Sequence, residues 1–549
     1  MSQNSRAGAS SSSQSLHGAG GGRSYTRRVV ESTRGRRLAW SAAIFSLATG
    51  LSRILGLIRE TVSTYYFGAR GEINAFTVAF QVPNLVRILV ADAALSAAFV
   101  PVFSELLEKG ERARAWRIAS TLLWLLLLVL TAVTALFVLL APVVMPPLTK
   151  AYDDLAVTLA QMLFPIVVLL GVSGIVVGIL NTYEQFAIPA LTPVAWNVMI
   201  IVGLVIGVPQ ADGIESKLYV FAGAILVGTV VQVLLPLPWL RGLDGRLRVA
   251  LDWRDPAVWR VLTLMVPVTI SLGLINLNAV IGTVVASYIE EDIGPRAVDL
   301  AFRIYMLPQG MFSVAVATVL FPALSRFAAR GDIDGFGRTV STGLRQISFL
   351  LVPASVICAV LAEPIVRLVY ERGEFEPDQT PVVAAALAAF SLGLAFNGTM
   401  LLLNRAFFGL QAPKIALLVA AGNLVLNALL FAVFFRVGVW GIPFAISLAN
   451  IAGALVLIAM LRRRVGDLEL RAVGGAVARI VAASALLAAA AYPSWRVLDD
   501  LLGRSFGAQV LSVGAAVALG AAVYLAACRL LGVREIETLL SLRTRFQRP

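Results

Sequence analysis

The sequence predicts an all-α polytopic membrane protein with about fourteen transmembrane helices, and three observations carry that prediction. Apolar residues fill 58% of the 549 positions and give a mean hydropathy of +0.84, whereas Asp, Glu, Lys and Arg together fill only 14%. Apolar runs near or above the roughly 20 residues that cross a bilayer recur to the end of the chain. The charges gather in short connectors between those runs, where they act as topology signals. The net charge of +13 is therefore spread over many connectors rather than forming one basic patch, and nucleic acid is not an expected partner.

Residues 1–37 are Ser- and Gly-rich and too polar to bury a core. Their basic end, with Arg27, Arg28, Arg34, Arg36 and Arg37, abuts the first span, so a disordered cytoplasmic tail is expected, with contact to anionic membrane lipids as a secondary role. Spans then begin near residues 39, 73, 116, 155, 190, 217, 258, 297, 340, 380, 413, 440, 474 and 507. Alternate connectors differ in charge. Arg112, Arg114 and Arg117, then Arg241, Arg246, Arg248 and Arg254, mark the inside; Asp153 and Asp154, then Glu290, Glu291 and Asp292, mark the outside. By the positive-inside rule both termini lie in the cytoplasm.

An internal repeat divides the chain. FVPVFSELLEKG (99–110) matches LFPALSRFAARG (320–331), and NTYEQFAIP (181–189) matches NRAFFGLQAP (404–413), at offsets of about 221 to 225 residues. Six spans fit each unit, and an even number gives both units one orientation, a parallel repeat about an axis along the membrane normal. The expected organisation is an N-terminal six-helix lobe at 38–248, a C-terminal six-helix lobe at 249–466, two extra helices at 467–535 and a basic cytoplasmic tail at 536–549. Facing lobes of this kind enclose a central cavity and suit alternating access.

Four arginines lie within apolar runs. Arg53 and Arg59 fall on the first span, Arg87 within the second and Arg303 early in the eighth, and arginines at membrane depth are costly unless they face a cavity or a partner. Guanidinium forks on facing lobes imply an anionic ligand, and diphosphate oxygens suit them well. Glu60 and Asp92 are the acids that would hold these arginines between ligand visits. Arg59 could instead snorkel to the interface, and either acid could simply neutralise a neighbour. Asn84, beside Pro83, reads as satisfying a helix break before it reads as a ligand contact, and stays among the candidate binding residues; Pro308 and Gly310 read as a kink. The single histidine, His17, lies in the polar tail, and Cys358 and Cys528 each sit in an apolar stretch, so His-based catalysis, His-ligated metal and a disulfide framework are not expected.

GLSRILGLIRETVSTYYFGA followed by NAFTVAFQVPNLVRILVADAALSAAFVPVFSE, then NTYEQFAIPALTP, FRIYMLPQGMFSVAVATVLFPALSR and LVYERGEF, resembles the MurJ/MviN lipid II flippase family within the multidrug/oligosaccharidyl-lipid/polysaccharide exporter superfamily. The segments keep their order and approximate spacing over roughly residues 38–535. The resemblance implies a flippase, not an enzyme, that carries lipid II from the inner to the outer leaflet of a bacterial cytoplasmic membrane, with no cofactor. Arg53, Arg59, Arg87 and Arg303 then match the family's cavity arginines, Glu60 and Asp92 match acidic positions beside them, and the two extra helices form a groove for the lipid tail. Lipid II and membrane lipids are the implied ligands, and peptidoglycan polymerases and divisome or elongasome proteins the implied partners. An exporter of another lipid-linked oligosaccharide from the same superfamily is the alternative, since it shares the diphosphate. Asn74 departs from the family, where many members carry Asp. Some members bind sodium through an acid on span 7 and polar residues on spans 11 and 12. Here Asn423 and Asn427 have a fitting i, i+4 spacing, but NAVIGTVVAS on span 7 has no carboxylate. A tightly held sodium is not expected, and the asparagines serve equally as helix-packing contacts.

Overall fold

The computed structural model describes residues 47–536 except Ile88, Val90, Ala91, Asp92 and Ala151; the side chains of 93–97, 267, 268, 271, 272, 274 and 275 are also left undescribed. The expected tail 1–37, candidate Asp92 and the segment after Ile536 lie outside the described residues.

Among the described residues every regular element is helical. The helices of the first half are α1 (47–67), α2 (Ile73–Arg87), α3 (Ala93–Glu108), α4 (Arg112–Val144), α5 (Asp153–Leu163), α6 (Ile166–Thr182), α7 (Ala187–Gly207) and α8 (Ile214–Leu234). The second half continues with α9 (Pro256–Ile289), α10 (Gly294–Pro308), α11 (Val314–Arg330), α12 (Ile333–Val360), α13 (Ala362–Tyr370), α14 (Thr380–Leu392), α15 (Leu394–Gly409), α16 (Pro413–Phe434) and α17 (Gly441–Val465), and the chain closes with α18 (Leu470–Leu502) and α19 (Phe506–Leu530).

Ten helical stretches are long and apolar enough to cross a membrane, or eleven when α14 and α15, bent by 43° at Gly393, count as one. The expectation of about fourteen exceeds that number because α1, the α2/α3 pair and α9 are helical at the expected places but are not among those stretches. The bend at Gly393 frees backbone groups, and Ser447 of α17 satisfies them. Its hydroxyl accepts from Gly393 N at 3.1 Å and donates to Ala389 O at 2.7 Å. A second irregularity follows Pro308, where Gln309–Ser313 form a π-turn between α10 and α11, as the Pro308/Gly310 pair suggests.

Side-chain caps close the starts of α9, α12 and α19. Asp332 accepts from Gly335 N at the start of α12, just after Gly331 has ended α11 in the left-handed region at φ 69°, and Ser505 caps α19. Asp255 caps α9 through Ala257 N and also pairs with Arg114 at the start of α4 through Nε at 2.9 Å and Nη2 at 3.0 Å.

Buried apolar side chains collect into separate cores. One large core unites α10 to α17 around Tyr370, Phe390, Leu402 and Phe407; two others serve the first half, around Phe76, Leu159 and Phe221 and around Phe99, Phe103 and Trp116. Helices α18 and α19 pack on α12 and α13 through a fourth core, fastened by Tyr524, whose hydroxyl donates to Phe349 O at 2.7 Å, and by the Arg367–Asp499 and Arg345–Glu535 pairs. The opposite faces stay apolar and exposed, Leu418 and Val433 on α16 among them, as expected of helices facing lipid.

Candidate functional site

Helix α1 is apolar enough to pack against its neighbours yet carries Arg59 and Glu60 just past its midpoint, and α10 presents Arg296, Asp299 and Arg303 on one face because positions i, i+3 and i+7 align on a helix. Where α1 meets α10, these five side chains interleave. One Glu60 carboxylate oxygen accepts from Arg59. The other accepts from Arg296 Nη1 at 3.2 Å, and Arg303 Nε approaches Glu60 Oε1 at 3.8 Å. Asp299 lies 3.1 Å from Arg303 Nη2 and 3.4 Å from Arg296 Nη1. Three guanidiniums thus face two carboxylates, leaving one positive charge in excess.

Arg59 does not snorkel. It is 7% exposed, donates to Asn197 Oδ1 at 3.2 Å and lies over the Trp196 ring at 4.7 Å from its centroid, a cation–π contact. Asn197 is itself held by Pro193 O at 2.9 Å. Arg303 keeps 34% of its side chain exposed, whereas Arg296 keeps 3%. Thr77, Phe80 and Gln81 line the same small, partly open cavity.

The other sequence candidates lie elsewhere. Arg53 is six positions before Arg59, with its guanidinium seated against Gly310 of the π-turn, where any side chain would collide with it. Arg87 ends α2, half-buried, next to the interruption before α3; there Thr269 of α9 donates to Leu89 O at 2.9 Å. Neither lines the small cavity. Asn84 needs a correction, because α2 runs unbroken through Pro83 and Asn84 and the interruption comes only after Arg87. Sequence reasoning missed Arg296 and Asp299. Their spacing to Arg303 on an otherwise apolar face was the available signal.

The family model for lipid II flippase MurJ matches residues 63–500. The chain belongs to the lipid II flippase MurJ family. A Vibrio cholerae protein described as a probable lipid II flippase MurJ is 31% identical over 524 residues, covering 92% of this chain and 98% of its own length. The Burkholderia cenocepacia lipid II flippase MurJ is 31% identical over 427 residues, 76% of this chain and 82% of its own. A solved structure of lipid II flippase MurJ in an inward closed conformation superposes with a TM-score of 0.73 at 25% identity, covering 89% of this chain and 98% of that one. An inward-facing MATE family transporter of the MOP superfamily shares the fold, with a TM-score of 0.64 at 17% identity over 78% of this chain and 95% of its own.

For a MurJ family member the ion question turns on Asn423 and Asn427. Asn423 Nδ2 faces Met400 Sδ at 3.7 Å, and Asn427 is 1% exposed with its Oδ1 lacking a hydrogen-bond partner. Asn278 Oδ1 on α9 lacks one too. Gly282 of α9 lies against Phe431 of α16, one turn on from Asn278 and from Asn427 in their own helices. Two neutral oxygens suit a sodium ion in kind but supply no charge. Among the described residues no three His, Cys, Asp or Glu side chains gather as metal ligands; Asp332 of the Asp332–Ile333–Asp334 stretch is occupied as a helix cap.

Proposed function

We propose that this chain moves lipid II, the undecaprenyl-diphosphate-linked peptidoglycan precursor, from the inner to the outer leaflet of a bacterial cytoplasmic membrane by alternating access. The observation that carries the reading is the cluster of buried Arg59 and Arg296 with half-buried Arg303 where the two halves of a MurJ-family fold meet. The diphosphate takes Arg59 and Arg303 as its forks, and Arg53 and Arg87 stand along its way. The chain breaks no bond of its substrate. What it supplies is guanidinium counter-charge that offsets the cost of bringing the headgroup's charge into the membrane.

In this reading fourteen spans cross the membrane with both termini in the cytoplasm, residues 38–248 and 249–466 form the two lobes, and α18 and α19 flank the lipid tail. Contacts between residues one repeat apart support it. Gly71 N donates to Asp292 O at 2.9 Å and Arg296 N donates to Asn74 Oδ1 at 2.9 Å, separations of 221 and 222 residues, as expected where a two-fold axis passes between parallel lobes. Peptidoglycan polymerases are the partner class that consumes the product on the outer side.

Growth of a strain depleted of its own flippase tests the proposal. The wild-type chain should restore growth and the flipping of labelled lipid II, and Arg303→Ala should restore neither at equal membrane level. Restored growth by Arg59→Ala and Arg303→Ala together would overturn it.

A further inference from the structure

Arg296 belongs to a second structure besides the arginine cluster. Residues 65–74 are tied to residues 292–296 and 374–379 by a seam of hydrogen bonds: Glu374 N donates to Tyr65 O at 2.9 Å, Ala69 N to Gln379 Oε1 at 2.7 Å, and Arg70 Nη1 pairs with Asp378 at 2.5 Å. The backbones come so close that Gly68 and Gly373, at φ +62° and +64°, leave no room for a side chain. Asn74 sits at the centre. Its amide donates to Asp292 O at 2.6 Å and Ala69 O at 3.0 Å while its Oδ1 accepts from Arg296 N, so both ends of the amide are used and a carboxylate here would lose the two donated bonds. The Arg296 side chain then runs inward, with Nη2 donating to Ser63 Oγ at 3.0 Å and Nη1 to Glu60.

We infer that Arg296 is a positioning residue for transport: it holds Glu60 and thereby keeps the outer seam closed until the headgroup arrives. The inference rests on the transport reading above. Arg296 is 3% exposed and offers no surface to a ligand, so its effect passes through Glu60. A headgroup bearing two or more negative charges turns a cluster with one positive charge in excess into one with an excess of negative charge. Glu60 then faces a like charge, its bond to Arg296 weakens, and the seam loses the tie that links it to the pocket.

The test needs no lipid II. Ala69, fully buried in the seam, is replaced by Cys in the reconstituted full chain, and labelling by a membrane-impermeant maleimide is timed from the outer side. The native Cys358 and Cys528 are buried in helix packing and report unfolding by their own labelling. Arg296→Met should speed labelling at position 69 by about tenfold while both native cysteines stay protected, and Glu60→Gln, which takes the charge from the same pair, should speed it in the same direction. Unchanged labelling in both variants with the native cysteines protected overturns the inference. If Arg296→Met exposes the native cysteines, the Glu60→Gln result alone decides. Failure of the transport reading shows separately, as an unchanged affinity for lipid II in Arg303→Ala.

Discussion

Removing any one guanidinium from around Glu60 leaves a buried carboxylate short of a partner, and removing the two that the ligand reaches also deprives the diphosphate of charge-assisted bonds worth about 1.5 to 3 kcal/mol each. Arg59→Ala and Arg303→Ala are expected to abolish complementation with insertion intact, and Arg→Lys to restore it only in part, because a point charge lacks the fork. Immunoblots of membranes beside growth curves check both. At Gly310 the expectation is different in kind. Gly310→Ala pushes the Arg53 guanidinium from its seat, so lipid II affinity should fall about tenfold in the wild-type background and hardly at all in Arg53→Ala; equal losses in both would rule out the contact. Arg59, Glu60 and Arg303 were legible in the sequence because charge inside an apolar run has few explanations. Arg296 was not, because it follows Glu290, Glu291 and Asp292 so closely that it reads as one more connector charge. Only the start of α10 at Gly294 turns it inward.

At the scale of helices, the long runs of α4, α12 and α18 were legible from apolar length, whereas the bend between α14 and α15 was not: the Ser447 hydroxyl that satisfies its freed backbone groups comes from a helix more than 50 residues on. Asp255 shows how one connector residue orders two helices. The Arg114 hydrogen bonds hold its carboxyl below the ordinary carboxylate range, so folding favours the ionised form. That contribution is complete above the unfolded value of about 4 and is lost as pH falls through the depressed folded value. Asp255→Ala should destabilise the purified protein by about 1 kcal/mol or more at neutral pH through the lost cap and pair. The difference in melting temperature from wild type should narrow on acidification toward pH of about 3; a constant difference would exclude the linkage. For α18, Arg367→Ala and Asp499→Ala should each destabilise strongly, yet their double variant little more than either alone, as read from a melting-temperature cycle.

Over the whole molecule the driving force is open to experiment. An inside-negative potential assists outward movement of a headgroup carrying two diphosphate charges by about 2.3 kcal/mol per charge per 100 mV, and the arginines return with the empty carrier. Collapsing the potential with a potassium ionophore should slow flipping in cells, whereas replacing sodium by choline at constant potential should change little, since Asn278 and Asn427 offer an ion no charge. A sodium requirement lost in Asn427→Ala would reverse that expectation. The repeat offset was legible in short matched motifs, but that repeat-related residues touch one another was not, because sequence spacing carries no depth. The Glu60–Arg296 bond spans 236 residues, which a ribosome takes on the order of ten to fifty seconds to synthesise. Through that interval α1 has only its own Arg59 to balance Glu60, so an early helix finds its α10 partners late. Biogenesis of this protein must shelter a charged helix from lipid until α10 emerges.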